Sequence, residues 1–221
     1  MKKTFVLVLV ISLLCLMAIG TTLTYFTDTD FDSNTTMVVG KVEIEQHEKN
    51  RSGNDISTEE LKLYPVTSGL VDGLIPVENN GVDKFVSVEN TGSEAAYVRT
   101  IFAFEMKNDG NSPVGNEVQL VQVGIVMTDV TFIKDGVSYI IGVRTYADPL
   151  AGGATTDPSL KQVYLASAAD NTFFDAVGVE YDILILSQAV QAKGFETAGA
   201  EAALNAAFGA VDTNTVAEWF Q

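Results

Sequence analysis

Residues 84–105 (KFVSVENTGSEAAYVRTIFAFE) decide the fold class of this chain of 221 residues. Two runs that are rich in β-branched and aromatic residues, 84–90 and 96–105, flank the turn-forming residues 91–94 (TGSE). Such runs on both sides of a glycine-containing turn are typical of a β-hairpin. The segment therefore predicts two antiparallel strands that pair with each other.

Strand-forming runs recur along most of the chain. The strands predicted from them are residues 37–45, 138–144, 160–166 and 181–190, and the turn Lys134-Asp135-Gly136 separates two β-rich runs. The run 181–190 is the most apolar and is predicted to be a central strand. Residues 118–133 have features of both strand and helix, and we assign them to neither. Short strands joined by turns and followed by a helical tail predict a mainly β protein, an antiparallel β-sandwich.

Loops and helices are predicted from turn residues and helix caps. Residues 46–56 (QHEKNRSGNDI) predict a loop, and residues 197–208 (TAGAEAALNAAF) predict an Ala-rich helix that covers one face of a sheet. Capping-box patterns stand at Ser57 with Glu60 and at Thr215 with Glu218. Each of these two patterns predicts the start of a short helix.

The charge and the scarcity of reactive residues exclude several classes of function. The chain has 13 Lys and Arg against 29 Asp and Glu, for a net charge of −16, which argues against nucleic-acid binding. A single His and a single Cys exclude most His/Cys metal sites, Ser–His or Cys–His catalysis and a disulfide framework. We therefore expect no catalytic residues, no metal site and no cofactor.

The N-terminal residues have the pattern of an export signal. Lys2 and Lys3 precede an uncharged apolar run, 5–19, which as a helix would span about 22 Å, against about 30 Å for a bilayer core. This pattern predicts a secretory signal peptide, with an uncleaved membrane helix as the alternative. Cys15 lies inside the run, so the mature chain would contain no cysteine, as suits an exported protein.

The residues after the apolar run resemble a known type of signal peptide. Thr22 and Thr24 occupy the small-residue positions, and residues 24–30 read TYFTDTD. A hydroxylated, aromatic and then acidic stretch resembles the signals of TasA and camelysin-type proteins, which Gram-positive bacteria process with a dedicated signal peptidase. The resemblance implies cleavage between Thr24 and Tyr25. The chain then divides into a signal peptide (1–24), an arm (25–36) and a β-sandwich domain (37–221).

Further blocks are similar to the same TasA/camelysin group. They are the start of the mature chain (YFTDTD…VVGKVEIE), the block ENTGSEAAYVR, the turn KDG and the run YDILILSQAVQAKGF. The resemblance implies a jelly-roll-like sandwich that is secreted to the extracellular matrix or the cell surface. There it would be a subunit of biofilm-matrix fibres, with the membrane contacted only through the signal peptide before cleavage.

The family's mode of assembly implies a role for the arm. The freed arm of one subunit pairs as a strand with the next subunit, so the main partner is a second copy in a head-to-tail filament. An accessory matrix or anchor protein is a further candidate partner. The implied donor-strand residues are Tyr25, Phe26, Phe31, Met37, Val38 and Val39. Because the arm carries Asp28, Asp30 and Asp32, we expect salt or divalent ions to favour assembly.

The sequence is also compatible with two other functions. A monomeric surface or matrix-binding module needs no further motif. A camelysin-like metalloprotease would use His47-Glu48, but the zincin motif requires a second His where this chain has Arg51. A solvated loop histidine is therefore the preferred interpretation of His47.

Residues 28–32, Arg99 and five aromatic residues are further candidates for ligand binding or packing contacts. Residues 28–32 match the first half of a calcium loop, but Ser33 replaces its glycine and Val39 its last acidic residue. Arg99 is expected to be a surface or edge charge that keeps a sheet soluble. The residues expected to pack in the core or on the sandwich are Tyr97, Phe102, Phe104, Trp219 and Phe220.

Overall fold

The computed structural model describes residues 27–30, 42–169, 173 and 180–221. The strands are β1 (Thr27–Asp30), β2 (Ile44–Lys49), β3 (Val82–Asn90), β4 (Ala96–Glu105), β5 (Val118–Gln122), β6 (Val126–Lys134), β7 (Val137–Thr145), β8 (Leu160–Leu165) and β9 (Ile183–Gln191). The helices are α1 (Gly199–Phe208) and α2 (Thr213–Trp219), with one 3₁₀ turn at Val77–Asn79.

The strands form two antiparallel sheets. The first sheet has the order β1-β9-β4-β7-β6, and the second has the order β2-β3-β8-β5. Side chains of both sheets meet in one core, where Phe102 and Ile185 of the first sheet pack with Val86 and Val163 of the second. The protein is thus mainly β, and the predicted antiparallel sandwich is confirmed at this level.

The C-terminal helices add a third layer on the outer face of the first sheet. Ala203 and Leu204 of α1 pack against Tyr97 and Val190, as the lid predicted over one sheet face requires. Phe220, after α2, stacks on Phe132 with ring centroids 5.3 Å apart. Since β4 is covered on both faces, all its residues from Ala96 to Phe104 are buried, and the predicted packing of its aromatics is confirmed.

The predicted pairing of residues 84–90 with 96–105 is wrong. Both runs are strands, but β3 pairs with β2 and β8, whereas β4 pairs with β7 and β9. The connection crosses from one sheet to the other and is held by Asn90, whose Nδ2 donates to the carbonyls of Glu94 and Leu150 at 2.8 and 2.9 Å. A turn signal marks a change of direction, but it does not determine which strand becomes the partner.

Two local predictions before β3 are also wrong. β2 continues to Lys49, so the first residues of the predicted loop 46–56 are strand. Residues 57–63 form no helix, because Asp55 accepts hydrogen bonds from the backbone N–H and the hydroxyl of Ser57. The chain then runs extended beside residue 181, whose backbone N–H donates to the carbonyl of Leu61 at 2.9 Å.

The turn at Lys134-Asp135-Gly136 is confirmed as a two-residue hairpin between β6 and β7. Lys134 is the register partner of Val137. Asp135 and Gly136 have φ values of 51° and 86°, as the type I′ turn requires. The mixed segment 118–133 holds β5 and nearly all of β6.

The start of α2 differs from the capping box predicted at Thr215. Asp212 is the N-cap, and its Oδ1 accepts from the backbone N–H groups of Asn214 and Thr215 at 3.0 Å. Thr215 therefore lies inside the first turn of the helix. Its hydroxyl also donates to Asp212 Oδ1 at 3.0 Å.

Candidate functional site at the edge of strand β9

Strand β9 has one side that is only partly paired. Its inner side pairs with β4 from Ile183 to Gln191. Its outer side pairs with β1 over four positions, from Thr27 opposite Val190 to Asp30 opposite Ser187. Among the described residues, no strand pairs with this outer side at 183–186. β9 is therefore central only where β1 lies beside it.

A groove of about 550 Å³ lies beside this part of β9, and we call it the edge groove. Ile183, Leu184 and Ile185 form its apolar side. Its acidic lining residues are Glu48, Glu59, Glu60, Glu105, Glu180 and Asp182. Lys84 is the one basic residue that lines it within the described ranges. The groove thus continues the path of β1 and carries a strongly negative charge.

A buried polar network connects the edge groove to the pairing site of β1. Lys84 Nζ lies 2.6 Å from Glu48 Oε2, and Gln46 Nε2 donates to Glu48 Oε1 at 3.0 Å. Ser187 Oγ donates to Gln46 Oε1 at 2.7 Å and lies 3.2 Å from the hydroxyl of Thr100. All five side chains are buried between the sheets. Because each bond needs a set distance, the network fixes the spacing of the sheets at this edge.

The outer face of the same edge is organised by Arg99. Its guanidinium donates to Gln188 Oε1 at 2.7 Å, to Asn205 Oδ1 at 2.8 Å and to the carbonyl of Gly209 at 3.1 Å, and it lies 4.8 Å from the ring centroid of Trp219. Burial lowers its pKa to about 10, so the group stays charged at neutral pH. Arg99 is therefore buried beneath the helices, and the expected surface charge is wrong.

Gln188 lies on β9 beside strand β1. It is the register partner of both Arg99 and Thr29. Its Nε2 is buried and has no hydrogen-bond partner among the described residues. A buried amide donor without a partner carries a desolvation cost, which an acceptor from an adjacent strand would offset.

Carboxyl and phenol groups hold the start of β9. Glu105 Oε2 accepts from the backbone N–H of Asp182 at 2.8 Å, and Tyr139 donates its hydroxyl to Asp182 Oδ2 at 2.6 Å. Burial raises the pKa of Glu105, and it also raises the pKa of Tyr139 and of Tyr181 well above the usual range. Both phenols therefore remain hydrogen-bond donors at neutral pH.

His47 lies on β2 rather than in the expected loop. Its Nε2 is 3.0 Å from Glu89 Oε2, and its Nδ1 is 3.7 Å from Glu45 Oε1. The zincin motif requires a helix, whereas these residues form a strand. Arg51, at the position of the missing histidine, instead pairs with Asp83 at 2.7 Å.

The predicted cleavage and donor-strand residues lie outside the described residues. They are Thr22, Thr24, Tyr25, Phe26, Phe31, Met37, Val38 and Val39. Within the arm, Thr27–Asp30 is extended strand, so this part does not form the turn of a calcium loop. No helix within the described ranges is long and apolar enough to cross a membrane.

Comparison with family models, with curated proteins and with solved structures finds no match to this chain. The resemblance to the TasA/camelysin group therefore stays a prediction from the sequence motifs.

Sequence reasoning missed the residues of the polar network. Gln46 and Glu48 point inward from β2, whereas Glu45 and His47 point outward. Since both faces of this strand carry polar side chains, the alternation of apolar and polar residues that reveals a strand is absent. The inward position of a Gln and a Glu had no signal in the sequence.

Proposed function

We propose that this protein is a secreted structural subunit that polymerises into extracellular fibres by exchanging its N-terminal arm between neighbouring copies. The observation that carries the proposal is the pairing of Thr27–Asp30, inside the predicted arm 25–36, with the edge of β9. The segment that the sequence motifs indicate as a donor strand is thus compatible with an edge-strand position on this fold.

Strand exchange follows from the nature of this contact. Backbone hydrogen bonds between two strands are the same whether the strands belong to one chain or to two. An arm that leaves its own β9 can therefore pair with β9 of another copy in the same register. Because the arm and the edge are different surfaces, the contact is head-to-tail, and it builds a filament when each arm passes to a further copy and not back to the first.

The edge groove supports a longer contact than the four described pairs. A strand that continued the register of β1 would set residue 31 opposite Leu186 and residue 34 opposite Ile183. Ile183, Leu184 and Ile185, which such a strand would pass, line the groove. Main-chain bonds would supply affinity and the groove would receive alternate side chains, as in other cases of strand addition.

The charges of the arm and the groove explain how salt would act on assembly. The sequence of the arm contains Asp28, Asp30 and Asp32, and six carboxylates line the edge groove against the single Lys84 of the described residues. Exposed like charges repel less as ionic strength rises. We therefore expect assembly to be slow in low salt and faster with added salt or divalent ions.

The remaining parts of the proposal rest on the sequence motifs. A dedicated signal peptidase would cut between Thr24 and Tyr25 and so release the arm from the membrane. The mature protein would act in the extracellular matrix or at the cell surface, with a jelly-roll-like arrangement of its strands. An accessory matrix or anchor protein is a further proposed partner.

A cysteine pair across the β1–β9 contact tests the proposal. Asp28 and Ala189 are register partners, and such Cα atoms lie about 4.5–5.5 Å apart, which a disulfide can span. The Asp28→Cys/Ala189→Cys variant of residues 25–221 has no other cysteine. Oxidised as a monomer, it should form no fibres under negative-stain microscopy, and reduction should restore them.

The same variant gives a second readout. When it assembles reduced and is then oxidised, bonds should join neighbouring chains and give a ladder on a non-reducing gel. The single variants Asp28→Cys and Ala189→Cys are the controls for the substitutions themselves. Polymerisation of the oxidised monomer at the rate of the reduced one would refute arm exchange.

A monomeric binding module is the second candidate, because the observed β1 already occupies its own β9. Removal of residues 25–36 separates the two functions. The fibre proposal expects lost polymers with a folded domain retained. A monomeric module predicts the same size in solution for the intact and the shortened mature protein at every salt concentration.

A further inference from the structure

We propose that Glu45, His47 and Glu89 form a binding site for one divalent transition-metal ion on the outer face of the second sheet. We call these residues the outer-face triad. The site lies on β2 and β3 of the second sheet, on the face of β2 opposite to the buried polar network. It does not depend on the proposed fibre assembly.

The strand geometry places three ligands on one face. Glu45 and His47 are two positions apart on β2 and therefore point to the same side. Glu89 is the register partner of Glu45 on β3, so its side chain is on that side as well. Two ligands from one strand and a third from its neighbour thus converge without any contribution from a loop.

The distances within the triad suit a single ion. One ligand atom of each residue lies within 4.8 Å of the others. Zinc–nitrogen and zinc–oxygen bonds of roughly 2.0–2.2 Å put neighbouring ligand atoms a little over 3 Å apart. Glu89 Oε2 lies 3.0 Å from His47 Nε2, whereas Glu45 Oε1 lies 3.7 Å from Nδ1 on the other side of the ring. The two partly exposed glutamates must therefore change rotamer to bring both carboxylates to one ring nitrogen.

The electrostatics favour a cation at this position. Two carboxylates stand directly opposite each other at Glu45 and Glu89, an arrangement that destabilises a sheet unless a positive charge intervenes. An ion bound between the two carboxylates would remove their repulsion.

The donor set selects the class of ion. One imidazole nitrogen with carboxylate oxygens suits zinc, copper or nickel, whereas calcium and magnesium prefer six or more oxygens. The side chains of Glu45 and Glu89 are 48% and 37% exposed, against 15% for His47. The site therefore opens to solvent, and water would complete the coordination.

Titration of the metal-stripped mature protein with zinc chloride, followed by calorimetry, tests the site. We expect saturable binding of one ion per chain. His47→Ala and the polar variant His47→Gln should abolish it, and Glu89→Gln should weaken it by at least about tenfold, the lower bound for loss of even an indirect ligand contact. Asp129→Asn, which removes an exposed carboxylate from β6 of the other sheet, should bind as the wild type does.

A spectroscopic readout makes the test independent of the stability of the variants. His47 is the only histidine in the chain, so its imidazole gives one set of NMR signals. Zinc should shift these signals in the wild type and leave them unshifted in a Glu45→Gln/Glu89→Gln variant. The competing arrangement is an imidazolium that bridges the two carboxylates without an ion. Absence of saturable zinc binding to the wild type would overturn the proposal and favour the imidazolium bridge. Wild-type affinity for zinc in either His47 variant would also overturn it, because the imidazole would then not be a ligand.

Discussion

The buried ion pair of the polar network gives a sharp test of the structure. Lys84 and Glu48 are in contact at 2.6 Å, and their side chains are only 8% and 10% exposed. Replacement of Lys84 by Met would leave the Glu48 carboxylate buried without its cation. Removal of one partner from a buried pair costs about 3–5 kcal/mol. Because Gln46 still donates to Glu48, we expect the lower end of this range.

The expected change is large enough for standard assays. A loss of about 3 kcal/mol in the free energy of unfolding lowers Tm by roughly 6–12 °C for a domain of this size. Urea denaturation of the mature protein measures the free energy. The double variant Lys84→Met/Glu48→Gln should recover most of the loss, since no uncompensated charge remains and Gln46 keeps an acceptor.

An exposed pair supplies the matched control. Lys62 and Glu60 are also in contact, at 2.9 Å, but their side chains are 49% and 64% exposed. Lys62→Met should leave the stability unchanged within error, because water solvates the remaining carboxylate. Equal effects of Lys84→Met and Lys62→Met would refute the inference that the network is buried between the sheets.

Three further predictions concern the rest of the domain. Arg99→Lys should lower the free energy of unfolding in urea by about 1.5–3 kcal/mol, because an ammonium cannot reach all three acceptors of the guanidinium; an unchanged value would contradict the buried position. Leu204→Ala should cost about 2–5 kcal/mol by thermal denaturation, because this fully buried side chain fixes α1 to the sheet, and a cost below about 1 kcal/mol would mean that α1 is not packed there. Burial raises the pKa of Asp83, but the hydrogen bonds from Arg51 lower it more, so the net pKa lies below 3.8. The stability from this carboxylate is complete above pH 3.8 and is lost as the pH falls through the folded-state pKa. Asp83→Asn should therefore flatten the acid limb of a plot of stability against pH, and an identical limb in the variant would contradict the assignment.

The strands were largely predictable, and their partners were not. β4, β7, β8 and β9 follow from runs of β-branched and aromatic residues, a local property of the chain. The predicted pairing of residues 84–90 with 96–105 is wrong because the connection between them crosses to the other sheet, and a turn signal does not show which sheet the next strand joins. The predicted surface position of Arg99 is wrong for a related reason. Its burial depends on contacts with Asn205 and Gly209, about a hundred residues further along the chain.

The sequence by itself determined β4, β7, β8, β9, the turn at residues 134–136 and the helix α1, because φ preferences, β-branching and runs of apolar residues act over a few positions. Only the tertiary structure shows that Lys84 is hydrogen-bonded to Glu48, 36 residues away, and that Ser187 is hydrogen-bonded to Gln46, 141 residues away. It also decided that Thr27–Asp30 lies at the edge of β9. Contacts at such separations depend on how two sheets pack, and no short stretch of sequence contains that information.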